Sequence, residues 1–279
     1  MLITGKKTMN ATIKKIFLPL LLTMLCGSSL FAQNPASPDS VQPYKYTFSQ
    51  FGNETWSFVK QPTKWDGSDW LKLGLIGAGT FLVAQADQPI RTDVMKDQRY
   101  YYSAPVVAGR LWGEIYSPVV LFTGFGLYSV LNNDIGARKI AYEVGQASLY
   151  AGALSFVLKL TFGRARPYMN EGNSVFRPFS SIFNQDYKSM PSGHSTVAFV
   201  LSTVLSRNVK SPVLKVLAYL PAVLTMASRV YQDRHWTSDT FAGAALGYFV
   251  ATWVVDQHEN NNSTVVVSSV YPLSISIAF

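Results

Sequence analysis

The sequence predicts an all-α fold: a bundle of about six helices, mostly transmembrane or membrane-docked, with a polar N-terminal segment and a short strand-like C-terminal tail. Three observations predict it. Hydrophobic residues make up 48% of the chain and charged residues 14%, against about 25% charged in a soluble globular chain. Six apolar stretches recur, at 70–86, 116–131, 140–160, 195–205, 213–227 and 240–255, several of them near the ~20 residues that cross a bilayer. The connections between them are uneven. The longest, 163–194, is polar and rich in Gly, Pro and Ser, the kind of loop in which function concentrates.

Taken in order, the chain opens on a targeting pattern. Lys6, Lys7, Lys14 and Lys15 flank an apolar core at 16–25 that Pro19 interrupts, and Gly27, Ser28 and Ser29 lead to Phe31-Ala32-Gln33. This is the layout of a secretory signal, with cleavage expected after Ala32. The apolar core is shorter than a span needs, so an uncleaved N-terminal anchor is the second choice. Residues 33–43 are rich in Pro, Ser, Asn and Asp and read as a linker. Residues 44–69 are polar with many aromatics, which suits a segment lying at headgroup level. The expected division is a signal peptide or anchor at 1–32, a polar linker or interfacial segment at 33–69, a helical domain at 70–256 and a tail at 257–279. Cys26 is the single cysteine. With the signal removed, no thiol remains for a disulfide, a thiolate metal site or a cysteine nucleophile.

The third apolar stretch carries Glu143, Gln146 and Lys159, so one side of it must face protein or water rather than lipid. Arg207, Lys210 and Lys215 fall in a short connection without acidic residues. That bias marks a cytoplasmic end and sends the loops at the opposite end to the periplasm. In the tail, Val265, Val267, Leu273, Ile275 and Ile277 sit at strand-like spacing, which predicts an edge strand. The net charge of +8 suits an anionic partner such as a phosphate or an acidic lipid. Nucleic acid is not expected, because the cations are not gathered on one polar helix and no nucleic-acid motif occurs.

Three short clusters at the polar ends of the apolar stretches carry chemistry. The first contains Lys159, Arg166 and Pro167. The second is Pro191-Ser192-Gly193-His194. The third is Ser228-Arg229, then His235 after five residues and Asp239 after three more. Phosphoryl transfer puts negative charge on equatorial oxygens, so it is catalysed mainly by positioning and charge stabilisation. Without a metal ion, side chains must supply the cations, and Lys159, Arg166 and Arg229 are suited to that. Ser192 and Gly193 come just before an apolar helix, where a hydroxyl and free N–H groups form an anion site. His235 and Asp239 are four apart. If that segment is helical they share a face, and the carboxylate can hold the ring through Nδ1–H. Nε2 is then free to attack phosphorus and form a phosphohistidine. His194 would protonate the leaving alkoxide and afterwards activate water.

In order and spacing, these clusters resemble the signature of the type-2 phosphatidic acid phosphatase and vanadium haloperoxidase superfamily. That signature is K-x6-R-P, then P-S-G-H, then S-R-x5-H-x3-D, and no defining position is substituted. The resemblance implies an all-helical core, a phosphohistidine on His235 assisted by His194 and Asp239, and phosphate binding by Lys159, Arg166, Ser192, Gly193 and Arg229. It implies no metal and no other cofactor. It also implies a membrane enzyme of a bacterial cell envelope, at the inner membrane with its site facing the periplasm. The substrate class is a lipid phosphate or diphosphate: phosphatidic acid, phosphatidylglycerophosphate, undecaprenyl diphosphate or lipid A phosphate. Two rivals stand beside it. One is a vanadate-dependent haloperoxidase, against which the short chain and apolar helices argue. The other is a non-enzymatic envelope protein, against which the intact clusters argue. Each residue also has a bland explanation on its own, such as a helix flank or a capping group; the joint order and spacing do not. Arg164, Arg177, Lys188, Asp233 and Arg234 fall outside the pattern and are expected to face solvent or headgroups. His258 is expected at the surface.

Overall fold

The computed structural model describes residues 46–179 and 183–259. The expected signal segment and strand-like tail lie outside the described residues. Among the described residues every named element is helical, and Arg164 forms an isolated antiparallel bridge with Phe176.

Each of the six apolar stretches falls in helix. They correspond to α2 (Gly67–Ala84), α5 (Tyr116–Asn132), α6 (Ile135–Phe162), α7 (Gly193–Asn208), the pair α8 (Pro212–Leu217) and α9 (Leu220–Tyr231), and α10 (Thr237–Glu259). Three helices were not expected: α1 (Phe48–Val59), α3 (Asp87–Met95) and α4 (Ala104–Trp112). Residues 48–59 are therefore not a linker. Thr47 caps α1 by accepting from the Gln50 N–H, and Phe51 and Phe58 pack against the core. Polar spacing between the aromatics hid this helix, because its apolar face is supplied by few, large side chains.

The core is formed by α6, α7 and α10, with α5 and α9 against its flanks. Ile140, Val144, Val200, Leu201, Val204 and Val254 are almost wholly buried. The α7–α10 contact is unusually close. A Cβ on Gly243 would lie 2.4 Å from the Ser192 carbonyl oxygen, and one on Gly247 would lie 2.3 Å from that of Thr196. These two glycines, four apart, let the backbones touch, as small residues do between membrane helices. The contact fixes the start of α10 against the start of α7, and the Ser192 N–H donates to the Asp239 carbonyl at 2.9 Å.

The outer faces are apolar. Leu71, Leu75, Phe81 and Leu82 on α2 are exposed, as are Leu127, Val130 and Leu131 on α5 and Leu149 and Val157 on α6. Val213, Val216 and Val223 on α8 and α9 are exposed too. Such extended apolar surface marks a face that meets lipid or another protein. Among the described residues, the stretch Pro212–Tyr231 is long and apolar enough to cross a membrane. Helices α4 and α5 pass together as a pair bent by 69°.

The end of the bundle remote from the three clusters carries a second polar group. His258 is buried and not a surface residue, because α10 continues to Glu259 and turns it inward. Its Nδ1 lies 3.1 Å from Glu143 Oε1 and its Nε2 lies 3.4 Å from Glu54 Oε1. Glu54 is the attachment of α1 to the bundle, accepting from Gln146 Nε2 at 2.8 Å and the Tyr142 hydroxyl at 3.1 Å. Asn208 donates to Glu143 Oε2 at 2.7 Å, and Lys139 Nζ is 3.6 Å from Oε1. Nearby, Arg207 reaches Asp256 at 2.7 Å and also pairs with Glu259. The connection that looked free of acids thus meets them from the end of α10.

Burial alone would lower the His258 pKa, but the carboxylates of Glu143 and Glu54 outweigh it and raise the value. A raised folded-state pKa means stability fully present below about pH 6.5, the ordinary histidine value, and lost as pH rises through the raised one. The thermal midpoint in detergent is therefore expected to fall across that window in the wild type and to stay flatter in His258→Gln. Glu54→Ala is expected to cost about 1–3 kcal/mol, the usual penalty for stranding buried donors, and to open α1 to limited proteolysis.

Candidate active site

Four helix ends and one long loop meet at the other end of the bundle. Lys159 lies in the last turn of α6, His194 in the first turn of α7, Arg229 near the end of α9 and Asp239 in the first turn of α10. Arg166 lies in the loop after α6, and His235 lies in the bend between α9 and α10.

The structure brings the predicted residues together. Lys159 Nζ donates to the carbonyls of Lys188 at 2.8 Å and Pro191 at 2.5 Å, which ties the end of α6 to the start of α7. Its stem runs 3.7 Å from where a Gly193 Cβ would stand. Arg166 Nε donates to the Gln185 carbonyl at 2.9 Å and Nη1 to that of Arg234 at 3.1 Å. Arg229 is buried. Its Nη1 donates to Gln232 Oε1 at 2.9 Å, while its Nε makes no hydrogen bond among the described residues. Ser192 is the N-cap of α7, with Oγ accepting from the Ser195 N–H and hydroxyl. Both contacts use Oγ as acceptor, so its own proton remains available to a ligand. The N–H groups at the start of α7, at Gly193 and His194, have no partners within the helix.

One expectation about His235 is corrected. It does not share a helix face with Asp239, because α10 begins only at Thr237. Asp239 Oδ2 is 3.8 Å from His235 Nδ1, too far for a hydrogen bond. The partner of Nδ1 is the Ser189 carbonyl at 2.8 Å. A carbonyl oxygen can only accept, so Nδ1 carries the proton and Nε2 keeps its lone pair. The carboxylate reaches the ring indirectly: Ser189 Oγ donates to Asp239 Oδ2 at 2.5 Å. Burial, then the charges of Arg166, Lys159 and Arg229, hold the His235 pKa well below its ordinary value. The imidazole is neutral at physiological pH.

Asp239 itself is fully buried and saturated. Oδ2 also accepts from the Trp236 N–H at 2.9 Å, reaching back over the start of α10 as the acid of a capping box does. Oδ1 accepts from Arg164 Nη1 at 2.7 Å. Arg164, expected in solvent, is 3% exposed. Its Nη2 donates to Asp87 Oδ2 at 2.8 Å, and Nε and Nη2 donate to the Asn173 carbonyl. Asp87 in turn accepts from the Ser238 N–H at 2.9 Å and hydroxyl at 2.5 Å. The guanidinium lies over the rings of Phe176 and Trp236, 5.6 Å from each centroid.

Other expectations divide. Lys188 is buried rather than solvated. Asp233 pairs with Arg91 at 2.7 Å. Arg234 is exposed beside Tyr168, and Arg177 is exposed beside Glu171. Glu114, which had not been singled out, stands in the turn between α4 and α5 with Oε1 3.3 Å from His194 Nε2. Among the described residues no three His, Cys, Asp or Glu side chains are grouped to hold a metal ion. The positive charge is carried by Lys159, Arg166 and Arg229.

Residues 142–263 match the PAP2 superfamily. The lipid A 1-phosphatase of Porphyromonas gingivalis is 32% identical over 138 residues, 48% of this chain and 27% of that protein. Lipid phosphate phosphatase 1 of Arabidopsis thaliana is 26% identical over 69% of this chain and 68% of its own length. The lipid A 1-phosphatase of Rhizobium johnstonii is 30% identical over 48% of this chain and 57% of that protein. The chain thus covers about a quarter of the Porphyromonas protein and over half of the Rhizobium one. A transmembrane PAP2 type phosphatidylglycerolphosphate phosphatase from Bacillus subtilis superposes with a TM-score of 0.45 at 20% identity, over 66% of this chain and 94% of that one.

Removing Arg164 leaves two buried carboxylates unpaired. Arg164→Met is expected to cost about 3–5 kcal/mol, the usual penalty for breaking a buried ion pair. Arg164→Lys is not expected to restore it, since one ammonium cannot bridge two acids in a fork. Asp87→Asn in the Arg164→Met background is expected to cost less than the sum of the two changes in a denaturation cycle.

Proposed function

We infer that the chain is similar in function to the type-2 phosphatidic acid phosphatase superfamily, because the three motifs all lie inside the PAP2 match. We propose that the chain is a phosphatase that hydrolyses a lipid phosphate or diphosphate through a phosphohistidine on His235. The observation that carries this is the tautomer of His235: the Ser189 carbonyl holds Nδ1–H, so Nε2 is a neutral nucleophile among three cations. Nε2 attacks phosphorus as the bond to the leaving alkoxide breaks. Arg166, Arg229 and Lys159 stabilise charge on the equatorial oxygens, with Arg229 Nε a donor in waiting. The hydroxyl of Ser192 and the first N–H groups of α7 supply further donors. His194 gives its proton to the alkoxide, then takes one from the water that hydrolyses the phosphohistidine.

A lipid substrate is supported by the exposed apolar faces of α2, α5, α8 and α9, which would bring the mouth of the site to the acyl-chain level. The names of the relatives, lipid A 1-phosphatase and lipid phosphate phosphatase, support the same class. Within it, phosphatidic acid, phosphatidylglycerophosphate, undecaprenyl diphosphate and lipid A phosphate are the candidates. We further propose residues 70–256 as the core of the phosphatase domain and an inner-membrane location with the site facing the periplasm. The cluster of Arg207, Lys210 and Lys215 supports that orientation. Arg207 lies in the last turn of α7, about 20 Å from His194 at 1.5 Å per residue, and Lys210 and Lys215 follow it.

His235→Ala is expected to abolish turnover of a phosphorylated-lipid panel, and a ³²P label trapped in the wild type by acid-free quenching is expected to be absent from the variant. Label persisting in His235→Ala would remove His235 as nucleophile. Activity of the wild type is expected to survive excess chelator, measured on the same panel, and to be inhibited by vanadate. Halide oxidation stimulated by vanadate would instead favour a haloperoxidase.

A further inference from the structure

We infer that Glu114 is the positioning residue for the acid step: a carboxylate from the α4–α5 turn that faces His194 Nε2 and favours the protonated ring. The proposal rests on the phosphatase reading above and names a part of the site that the three motifs do not contain.

The contact is built by the fold. Glu114 stands on the turn that links α4 to α5 at their 69° bend. Gly113 sets the distance: a Cβ there would lie 2.6 Å from the His194 carbonyl oxygen and 2.9 Å from the His194 Cβ. Only a residue without a side chain lets this turn press on the first turn of α7. Thr225 on α9 closes the other side, its methyl 2.6 Å from the same point, and its hydroxyl donates to the Gly109 carbonyl at 2.7 Å. Glu114 Oε1 thereby comes to 3.3 Å from His194 Nε2, with both side chains partly open to solvent.

The charges around His194 make such a carboxylate necessary. Arg229 from α9 and Arg166 from the loop after α6 both oppose a proton on His194, and neutral His235 lies nearby in the α9–α10 bend. Burial opposes it most of all, and the net effect lowers the His194 pKa. Glu114 acts in the opposite direction and is the carboxylate that favours the imidazolium. The His194 contact, working against burial, in turn lowers the Glu114 pKa and keeps it ionised, with Arg229 and Arg110 adding to the effect. Glu114 Oε1 faces Nε2 and favours the imidazolium. In the first step the imidazolium gives a proton to the leaving oxygen as the P–O bond breaks and the P–N bond to His235 forms. In the second, water gives a proton back to the His194 ring as its oxygen bonds to phosphorus and the P–N bond breaks. Glu114 stays a carboxylate throughout.

The experiment compares two substrates of the full-length protein in detergent. Dioctanoyl phosphatidate has an alkoxide leaving group that must be protonated. p-Nitrophenyl phosphate releases a phenolate that needs no proton. The readout is kcat/KM, which ends at the phosphohistidine and so excludes the water step that both substrates share. Glu114→Gln is expected to lower it on the phosphatidate roughly 10- to 100-fold, up to the lower end of what general acid catalysis contributes, and by no more than a few-fold on p-nitrophenyl phosphate. Without the carboxylate the His194 pKa falls, so the alkaline limb of kcat/KM on the phosphatidate moves to lower pH. Glu114→Asp is expected to recover part of both. Equal loss on the two substrates, or an alkaline limb that does not move, would overturn the proposal in favour of a structural role. His194→Ala separates the two levels. Strong loss of kcat/KM on the phosphatidate alone upholds His194 as the acid and leaves Glu114 to be judged by its own variants. Equal loss of kcat/KM on both substrates in His194→Ala would sink the acid assignment itself, and this proposal with it.

Discussion

The buried guanidinium of Arg164 is the interaction on which the rest depends. It joins Asp87 at the start of α3, Asp239 at the start of α10 and the Asn173 carbonyl in the long loop. Three separate pieces of chain are thus held by one fixed fork. Taking an arginine and two aspartates out of water is costly, and the cost is offset only when nearly every donor and acceptor is met. Here they are met by Ser238, Ser189 and the Trp236 N–H, and the rings of Trp236 and Phe176 cover the faces of the guanidinium. The ring of His235 is two hydrogen bonds removed from this centre, through Ser189. Its orientation is inherited from the ion pair rather than from its own neighbours.

Electrostatically the site is arranged in layers. The inner layer is acidic: Asp87 and Asp239 share the one guanidinium of Arg164, and hydroxyl and backbone N–H donors meet their other lone pairs. The outer layer is cationic, with Lys159, Arg166 and Arg229, and its charge is compensated by backbone carbonyls and Gln232 rather than by carboxylates. Carbonyl dipoles hold the cations in place without neutralising them. A phosphate entering the site would meet the donors of Arg166 and Arg229 already oriented. Glu114 lies against the other histidine.

What the sequence allowed to be read depended on whether the signal was local. Apolar runs at helical length placed α2, α5, α6, α7 and α10 within a few residues, and the fixed spacings within motifs brought Lys159, Arg166, His194, Arg229 and His235 to one end. The helices missed were those whose apolar face is made of widely spaced aromatics, as in α1, or is too short to stand out, as in α3 and α4. Arg164, Asp87, Ser189 and Glu114 were missed because their meaning lies in partners far along the chain. Arg164 and Asp87 are 77 residues apart, and no periodicity links them. The direct contact expected between Asp239 and His235 is not formed, because the helix that was to align the pair starts two residues too late and Ser189 stands between them. His258 was read as a surface residue because the polar run after Asp256 looked like a tail, whereas α10 carries it one further turn into contact with Glu143 and Glu54.

The glycine contact between α7 and α10 has a consequence for how such a chain can vary. Two helices whose backbones touch at Gly243 and Gly247 have one axial alignment, since any slide drives a side chain into a carbonyl. Inserting a single residue in α10 ahead of these glycines would turn everything N-terminal to it by about 100°, swinging Asp239 away from Arg164 and Ser189. The two rods therefore behave as a gauge block. A change of length is tolerated in the loops around them and in the outer helices, not within the pair itself.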